Sequence, residues 1–166
     1  MIRHTMWILA AITFSSAAHA QNCPKTSRIA PDSRYELQND GAEILDKKTK
    51  LIWQRCSLGQ VWDGGSCTGT ATHYAWQQAI EAAKISTGGW SLPDAHELRS
   101  LLERSCNNPS INATIFPNTP STGFWSSTSA KNNNSHAWNV YFSYGNGYYD
   151  SKNDRYSVRL VRRQKK

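Results

Sequence analysis

The sequence predicts an α+β protein stabilised by disulfide bonds, and three observations support this prediction. Short apolar segments typical of strands lie in both halves of the chain, and two segments with helical spacing lie between them. Strands followed by helices and then by further strands are typical of the α+β class. The chain also has four cysteines, an even number that indicates two disulfide bonds in an exported protein.

The first 20 residues have the pattern of a signal peptide. Arg3 lies in a basic start, residues 6–14 form an apolar run, and residues 18–20 form a small-x-small cleavage signal. The run is far shorter than the roughly 20 residues of a membrane-spanning helix. An uncleaved anchor is the alternative, but the flanking residues favour cleavage. We expect a mature chain that begins at Gln21, has no transmembrane segment, and is periplasmic, extracellular or held at the cell surface.

The size and charge of the mature chain limit its function. Removing residues 1–20 from the 166-residue chain leaves 146 residues, the size of one ordinary domain. The net charge of the whole chain is +7, and removal of Arg3 reduces it to +6. A basic protein favours acidic partners, and export argues against nucleic acid as that partner. The sequence does not predict an oligomeric state.

The segment from Gly88 to Leu98 connects two predicted helices, and we call it the structural hub. Asp94 is a suitable helix N-cap, and Glu97 three residues later can complete a capping box. We expect the preceding glycine pair to direct Trp90 and Leu92 toward the core. The hub residues are Gly89, Trp90, Leu92, Pro93, Asp94 and Glu97.

Two helices are predicted around the hub. The first is expected to have Thr72 as its N-cap and to end before Gly88. Its apolar face consists of Trp76, Ala79, Ile80 and Ala83. The second begins after Asp94, and Leu98, Leu101 and Leu102 recur in it at helical spacing. The residues of the second helix that are assigned to solvent are Arg99, Glu103 and Arg104.

Strands and loops account for the remaining residues. An extended lead-in is predicted at 22–32, and a long ordered loop at 107–122 is expected to be anchored by Ile111, Ile115 and Phe116. The predicted strands are 43–45, 51–53, 124–126, 137–142 and 156–161, with a turn at 145–147.

The four cysteines allow three connectivities, of which we favour one. A Cys56–Cys67 bond would close a short glycine-rich loop, and a Cys23–Cys106 bond would tie the lead-in to the end of the second helix. Metal binding is the alternative, but the paired C-x-x-C spacing of zinc sites does not occur in the sequence. We therefore predict no metal and no other cofactor.

The sequence contains no recognised catalytic motif. His73, His96 and His136 each lie beside a predicted helix or strand start, and none belongs to an H-E-x-x-H motif. A serine-triad hydrolase remains an alternative, because triads are formed in space rather than in sequence. We assign no catalytic residue and expect a binding module; a structural cell-envelope protein is the other alternative.

Two groups of residues favour ligand binding. The first is a C-terminal basic cluster, in which alternation should point Arg159 away from the apolar face formed by Val158 and Leu160. Such a cluster suits a sulfated sugar, a phosphate or an acidic surface, although a hydrated basic tail that aids solubility is the alternative. The cluster consists of Arg155, Arg159, Arg162, Arg163, Lys165 and Lys166.

The second group is aromatic and comprises Trp138, Tyr148 and Tyr149, in a segment rich in asparagine, serine and glycine. Tyrosine combined with small polar residues makes adaptable recognition surfaces, and aromatic faces can stack on sugar rings. The alternative is that these residues only pack in the core or flank a hairpin.

Five motifs in a fixed order resemble the signature of the Lcl C-terminal domain family, a bacterial extracytoplasmic module. They are Asp46 with Thr49, Leu51, Trp53 and Gln54; Gly89-Trp90-Ser91-Leu92-Pro93 with Glu97-Leu98; Phe116-Pro117; Phe124-Trp125-Ser126-Ser127; and Val158-Arg159-Leu160-Val161-Arg162. The resemblance implies a C-type lectin-like domain at 35–163, a lead-in at 21–34 and a basic tail at 164–166. It also implies an acidic glycan partner, because the collagen-like adhesin of this family binds sulfated glycosaminoglycans.

Three positions depart from the patterns of these relatives. Lys50 stands where the family usually has glycine, which predicts a slightly different hairpin turn. Ser91 stands where the family usually has arginine, which removes a charge. Trp138-Asn139 is followed by Val140 rather than by the aspartate of calcium-binding lectins, so calcium-dependent sugar binding gains little support.

Overall fold

The structure is a computed structural model that describes residues 21–24 and 27–164. The predicted signal peptide at 1–20, together with Lys165 and Lys166 of the basic tail, lies outside the described residues. In the described part of the chain, none of the helices is long and apolar enough to span a membrane.

The described residues form an α+β fold with two α-helices, three antiparallel sheets and two disulfide bonds, which confirms the predicted class. Two short 3-10 turns flank the first strand, at Asp32–Arg34 and Asn39–Gly41. The elements in chain order are β1 (Tyr35–Gln38), β2 (Glu43–Asp46), β3 (Leu51–Gln54), β4 (Val61–Trp62), β5 (Cys67–Thr68), α1 (Trp76–Ile85), α2 (Ala95–Arg99), β6 (Gly123–Ser129), β7 (His136–Tyr141), β8 (Asn146–Ser151) and β9 (Val161–Arg163).

The largest sheet joins the two ends of the domain in the order β1-β2-β3-β9. The strands predicted at 43–45 and 51–53 are confirmed as β2 and β3, whereas β1 was not predicted from the sequence. The predicted strand at 156–161 is displaced, because β9 begins only at Val161. Residues 156–160 instead lie outside the named strands. The Ser157 amide donates to the Gly123 carbonyl and the Ser157 carbonyl accepts from the Trp125 amide, so both partners belong to β6.

The second sheet has the order β6-β7-β8. Strands β6 and β7 confirm the strands predicted at 124–126 and 137–142, although β7 ends one residue earlier. The turn predicted at 145–147 is only partly correct, because Gly145 ends a turn at 142–145, whereas Asn146 pairs with Tyr141 and Gly147 pairs with Val140. Both residues therefore belong to β8, a polar edge strand that lacks the alternation by which strands are recognised.

The start of α1 differs from the sequence prediction. Thr72 is not its N-cap, because the Thr72 amide donates to the Leu58 carbonyl at 2.8 Å and the helix begins four residues later. Ala75 occupies the cap position, and the Gln78 side chain accepts a hydrogen bond from its amide at 3.1 Å. The Gln78 side chain thus satisfies the backbone amide of Ala75, which has no partner within the helix.

The start of α2 confirms the predicted capping box. The Glu97 amide donates to Asp94 Oδ1 at 2.7 Å, and the Asp94 amide donates to Glu97 Oε2 at 2.9 Å. The helix is shorter than predicted and ends at Arg99. Leu92 is buried as expected, whereas Trp90 is only partly buried against the same core cluster.

Glu103 is fully buried, so its assignment to solvent was wrong. Its carboxylate accepts hydrogen bonds from the amides of Ala30 at 2.8 Å, Ile29 at 3.3 Å and Ser105 at 3.0 Å. Burial alone would raise the pKa of Glu103, but these hydrogen bonds outweigh it and lower the pKa. The carboxylate replaces water as the partner of the lead-in backbone, and this is why an acidic side chain lies inside the protein.

Both favoured disulfide bonds are present, Cys56–Cys67 and Cys23–Cys106. The second bond is accompanied by an antiparallel bridge between Asn22 and Asn107, so the start of the lead-in is attached to the long loop. The predicted anchors of that loop are confirmed. Ile111, Ile115 and Phe116 are all buried in the larger core cluster.

The β2–β3 turn is built around the buried carboxylate of Asp46. Arg34 Nε donates to Asp46 Oδ1 at 2.8 Å, and the Lys48 amide and Thr49 hydroxyl donate at 3.0 and 2.8 Å. Lys50 has a φ of +62°, in the left-handed region that favours glycine. Burial alone would raise the pKa of Asp46, but the hydrogen bonds from Arg34, Thr49 and Lys48 outweigh it and lower the pKa.

We expect Asp46→Asn to reduce stability at pH 7 by about 2–3 kcal/mol, because charge-assisted hydrogen bonds are lost in a buried turn. A carboxyl whose pKa is lowered by folding stabilises the protein above its unfolded pKa of about 4. That contribution disappears as the pH falls through the lower, folded pKa. Urea unfolding at several pH values should therefore show a smaller loss of stability in acid for the variant than for the parent.

Glu36→Gln is the matched control, because Glu36 lies exposed on the neighbouring strand β1. Its acid profile should follow that of the parent protein. The stability profiles of the parent and of both variants retain some acid sensitivity from Glu103. An Asp46→Asn profile parallel to the parent profile would show that Asp46 does not supply the pH-dependent stabilisation.

Candidate functional site

The structure separates the predicted basic cluster into three different environments. Arg162 and Arg163 lie on β9, whereas Arg155 lies against the start of α1. There, Arg155 donates to the His73 carbonyl at 2.8 Å and to Gln78 Oε1 at 3.4 Å. Arg159 is fully buried. The described arginines therefore do not form one continuous surface.

Arg159 is an internal structural residue, so the expectation that it is exposed was wrong. It donates to the Gln54 carbonyl at 3.0 Å, to the Arg55 carbonyl and to Thr119 Oγ1 at 2.8 Å. Its guanidinium also lies 4.9 Å from the centre of the Phe116 ring. Val158 and Leu160 pack in the smaller core cluster, whereas Arg159 contacts Phe116 and Thr119 of the long loop, which covers it.

Within the described residues, no carboxylate lies close enough to Arg159 to form an ion pair. Its partners are neutral oxygens. Burial lowers the pKa of Arg159 to about 9, so the group stays charged at neutral pH. A cation in this position stabilises carbonyl groups that would otherwise be buried without partners.

Arg162 and Arg163 are consecutive residues of β9, and each pairs with a carboxylate. Arg162 pairs with Glu43, donates to the Gly88 carbonyl at 3.2 Å and lies 4.7 Å from the centre of the Trp90 ring. Arg163 pairs with Glu97 at 2.7 Å while its side chain remains 74% exposed. These acidic partners offset part of the positive charge.

Three lysines that the sequence analysis did not assign to a site lie in the turn next to the C-terminal end of β9. Lys47, Lys48 and Lys50 are exposed in the β2–β3 turn. Leu51 pairs with Arg163, so the C-terminal end of β9 lies where the lysine turn enters β3. Among the described residues, no carboxylate pairs with any of the three lysines. We call the surface formed by Lys47, Lys48, Lys50, Arg162 and Arg163 the basic edge.

An open groove of about 660 Å³ lies at the basic edge. Gly88 and Gly89 of the hub form part of its wall, and both have positive φ. Ser91 of the hub is another lining residue. The complete lining is Ile52, Gly88, Gly89, Ser91, Arg162 and Arg163.

The three predicted aromatic residues do not lie together, because neighbouring residues of a strand face opposite sides. Trp138 and Tyr149 are paired across β7 and β8, with ring centres 4.0 Å apart. Tyr148 lies on the other face, where its ring centre is 5.7 Å from that of Tyr141. The pattern of alternation within Tyr148-Tyr149 could have indicated this separation.

The histidines do not form a common site in the described residues. The His136 ring nitrogen Nδ1 lies 2.9 Å from the Ser135 hydroxyl, while His73 contributes its backbone carbonyl to Arg155. Within residues 21–24 and 27–164, no three His, Cys, Asp or Glu side chains are grouped to hold a metal.

The described residues form a disulfide-bonded α+β domain, in which Asp46, the hub and Arg159 each occupy a structural position. Comparison with known families identifies the class of this domain. The family model of the Lcl C-terminal domain matches residues 42–162, and the chain belongs to this family. The match extends from the start of β2 into β9. No curated protein matches the chain.

We expect Arg159→Ala to reduce stability by about 3 kcal/mol or more, because several buried oxygens lose a charged donor at once. Arg159→Lys should recover only part of this loss, since a lysine ammonium cannot reproduce the planar fork of donors. Urea unfolding of both variants tests the prediction.

Arg163→Ala is the matched control, because it removes the same side chain from an exposed pair whose loss should cost less than about 1 kcal/mol. Equal, small effects at positions 159 and 163 would contradict the structural role of Arg159. If Arg159→Ala does not fold, the difference between Arg159→Lys and the parent decides the question.

Proposed function

We propose that this protein is an exported, non-enzymatic binding module of C-type lectin-like architecture that recognises an acidic ligand, such as a sulfated glycan, through the basic edge. The observation that carries the proposal is the pairing of Leu51 with Arg163. This pairing brings a lysine turn and a basic C-terminal strand together from opposite ends of the domain.

The charges of the basic edge support binding of a polyanion better than binding of a single anion. Glu43 and Glu97 partly offset the two arginines, whereas the three lysines have no carboxylate partner among the described residues. Arg163 lies opposite Leu51 on a neighbouring strand, about 4.8 Å away, so the end of β9 and the start of the lysine turn lie within the screening length of about 10 Å at 0.1 M salt. A chain with repeated negative charges can therefore interact with several of these cations at once.

The lysines are better positions for a test than the arginines. Neutralising Arg162 or Arg163 would also remove the partner of Glu43 or Glu97, and Glu97 is part of the α2 capping box. The three lysines are exposed and make no described ion pair. Their substitution therefore changes the surface charge while leaving the known contacts of the fold in place.

We expect the mature protein to bind a heparin column and the triple variant Lys47→Gln, Lys48→Gln, Lys50→Gln to elute at a clearly lower salt concentration. The triple variant Lys84→Gln, Arg104→Gln, Arg155→Gln is the control, because it removes the same charge from exposed positions elsewhere. The control should elute close to the parent. The melting temperature of the lysine variant should change little, because exposed charges contribute little to stability.

Equal shifts for the two triple variants would mean that heparin senses only the net charge of the protein. Failure of the parent protein to bind heparin at low salt would overturn the polyanion proposal and favour a structural role in the envelope.

A further inference from the structure

A second groove, of about 490 Å³, lies on the other sheet and is separate from the basic edge. Its aromatic wall is formed by Trp138 and Tyr149. The loop from β6 to β7 supplies polar groups from Lys131 and Asn132, and the first residue of β7 supplies the His136 ring. The volume is within the range of about 300–1,000 Å³ that is typical of small-ligand sites.

The position of the Trp138 ring depends on a glycine. A Cβ atom added at Gly147 would lie 3.2 Å from the Trp138 ring, closer than an ordinary contact, so the indole would have to shift by a few tenths of an ångström to accept it. Gly147 does not have a positive φ, so the close approach, and not the backbone conformation, accounts for glycine at this position.

Tyr149 completes an angled aromatic surface. Its ring plane is inclined by 44° to that of Trp138, and 52% of the Tyr149 residue surface is exposed. Trp138 is partly exposed in a strand whose neighbours Ala137 and Asn139 are buried. Two aromatic rings are therefore held by backbone pairing with one side open to solvent.

The polar groups around these rings have hydrogen-bonding capacity to spare. Ser135 engages His136 Nδ1, and no described residue bonds to the second ring nitrogen, Nε2. The indole N–H of Trp138 likewise has no hydrogen-bond partner among the described residues, unlike those of Trp76 and Trp125, which donate to carbonyl groups at 2.8 Å. Lys131 and Asn132 are exposed at the rim.

We propose that the groove lined by Trp138 and Tyr149 binds a pyranose ring of a neutral glycan. A sugar ring with equatorial hydroxyl groups has apolar C–H faces and a polar perimeter. The two aromatic rings match such a face, and the indole N–H, His136 and Asn132 match the perimeter. This site does not depend on the polyanion surface, since it uses a different sheet and different residues.

The test uses cellotetraose and chitotetraose, in which the ring hydroxyl and N-acetyl groups are equatorial, and an α-linked mannotetraose, which has axial hydroxyl groups. Binding is followed by NMR through the indole N–H signal of Trp138, which is assigned by its loss in Trp138→Phe. We expect at least one of the two equatorial sugars to shift this signal, and to do so at a lower concentration than mannotetraose.

Isothermal titration calorimetry, which does not depend on the Trp138 signal, compares the variants with the parent. Trp138→Ala should weaken binding of that sugar by roughly tenfold or more, because stacking on the ring is lost. Gly147→Ala should also weaken binding, because it displaces the ring without removing it. Tyr148→Ala is the control, since Tyr148 faces the other side of the sheet, and it should bind like the parent. Heparin binding should be unchanged in Trp138→Ala, which separates this site from the basic edge.

The proposal is overturned if neither cellotetraose nor chitotetraose shifts the Trp138 signal at millimolar concentration, or if Trp138→Ala and Gly147→Ala bind them as well as the parent does. Equal binding of mannotetraose would contradict recognition of an equatorial ring face. Heparin binding by the parent decides the polyanion proposal independently of these outcomes.

Discussion

The buried guanidinium of Arg159 connects segments that are far apart in the sequence. It donates to carbonyl groups at the end of β3 and to the Thr119 hydroxyl in the long loop, and it packs on Phe116 of the same loop. Hydrophobic residues could fill this space but could not satisfy these oxygens. The charge is therefore retained at a desolvation cost, which its lowered pKa reflects.

The position of the C-terminal strand depends on the same region. The Gln54 amide donates to the Leu160 carbonyl at 3.0 Å, and the Leu58 amide donates to the Val158 carbonyl at 2.9 Å. The hub contacts Val161, the residue after Leu160, because Ser91 and Val161 exchange backbone hydrogen bonds. Strand β9 is consequently held against β3 with Arg163 opposite Leu51, where the lysine turn enters β3. The position of the candidate site therefore depends on internal packing.

Local patterns in the sequence predicted the parts of the fold that local chemistry determines. The Asp94 capping box, the β2 and β3 strands and the Cys56–Cys67 loop each depend on residues close together in the chain, and all three are present. The burial of Arg159 and Glu103 was not predictable in this way. Each side chain is buried because a distant segment covers it or supplies its hydrogen-bond partners, and no periodicity within its own segment indicates that contact.

The candidate site likewise combines features that the local sequence reveals with features that depend on tertiary contacts. The basic character of the C-terminus was visible in the sequence, but its division into buried, paired and separate arginines depends on tertiary contacts. The lysine turn could be assigned to the site only through the β3–β9 register, which pairs residues 51 and 163. Alternation within β8 could have separated Tyr148 from Tyr149, but this required recognition of a strand with few residues typical of strands.

The most direct measurement of the central claim is an NMR titration of the ¹⁵N-labelled mature protein with a heparin hexasaccharide. The claim is that the β2–β3 turn and β9 form one polyanion-binding surface. It predicts that the largest amide shift changes occur together at residues 47–50 and 162–164 and diminish as salt is raised. Changes centred on Arg155 and α1 instead, or spread evenly over all exposed basic residues, would contradict it.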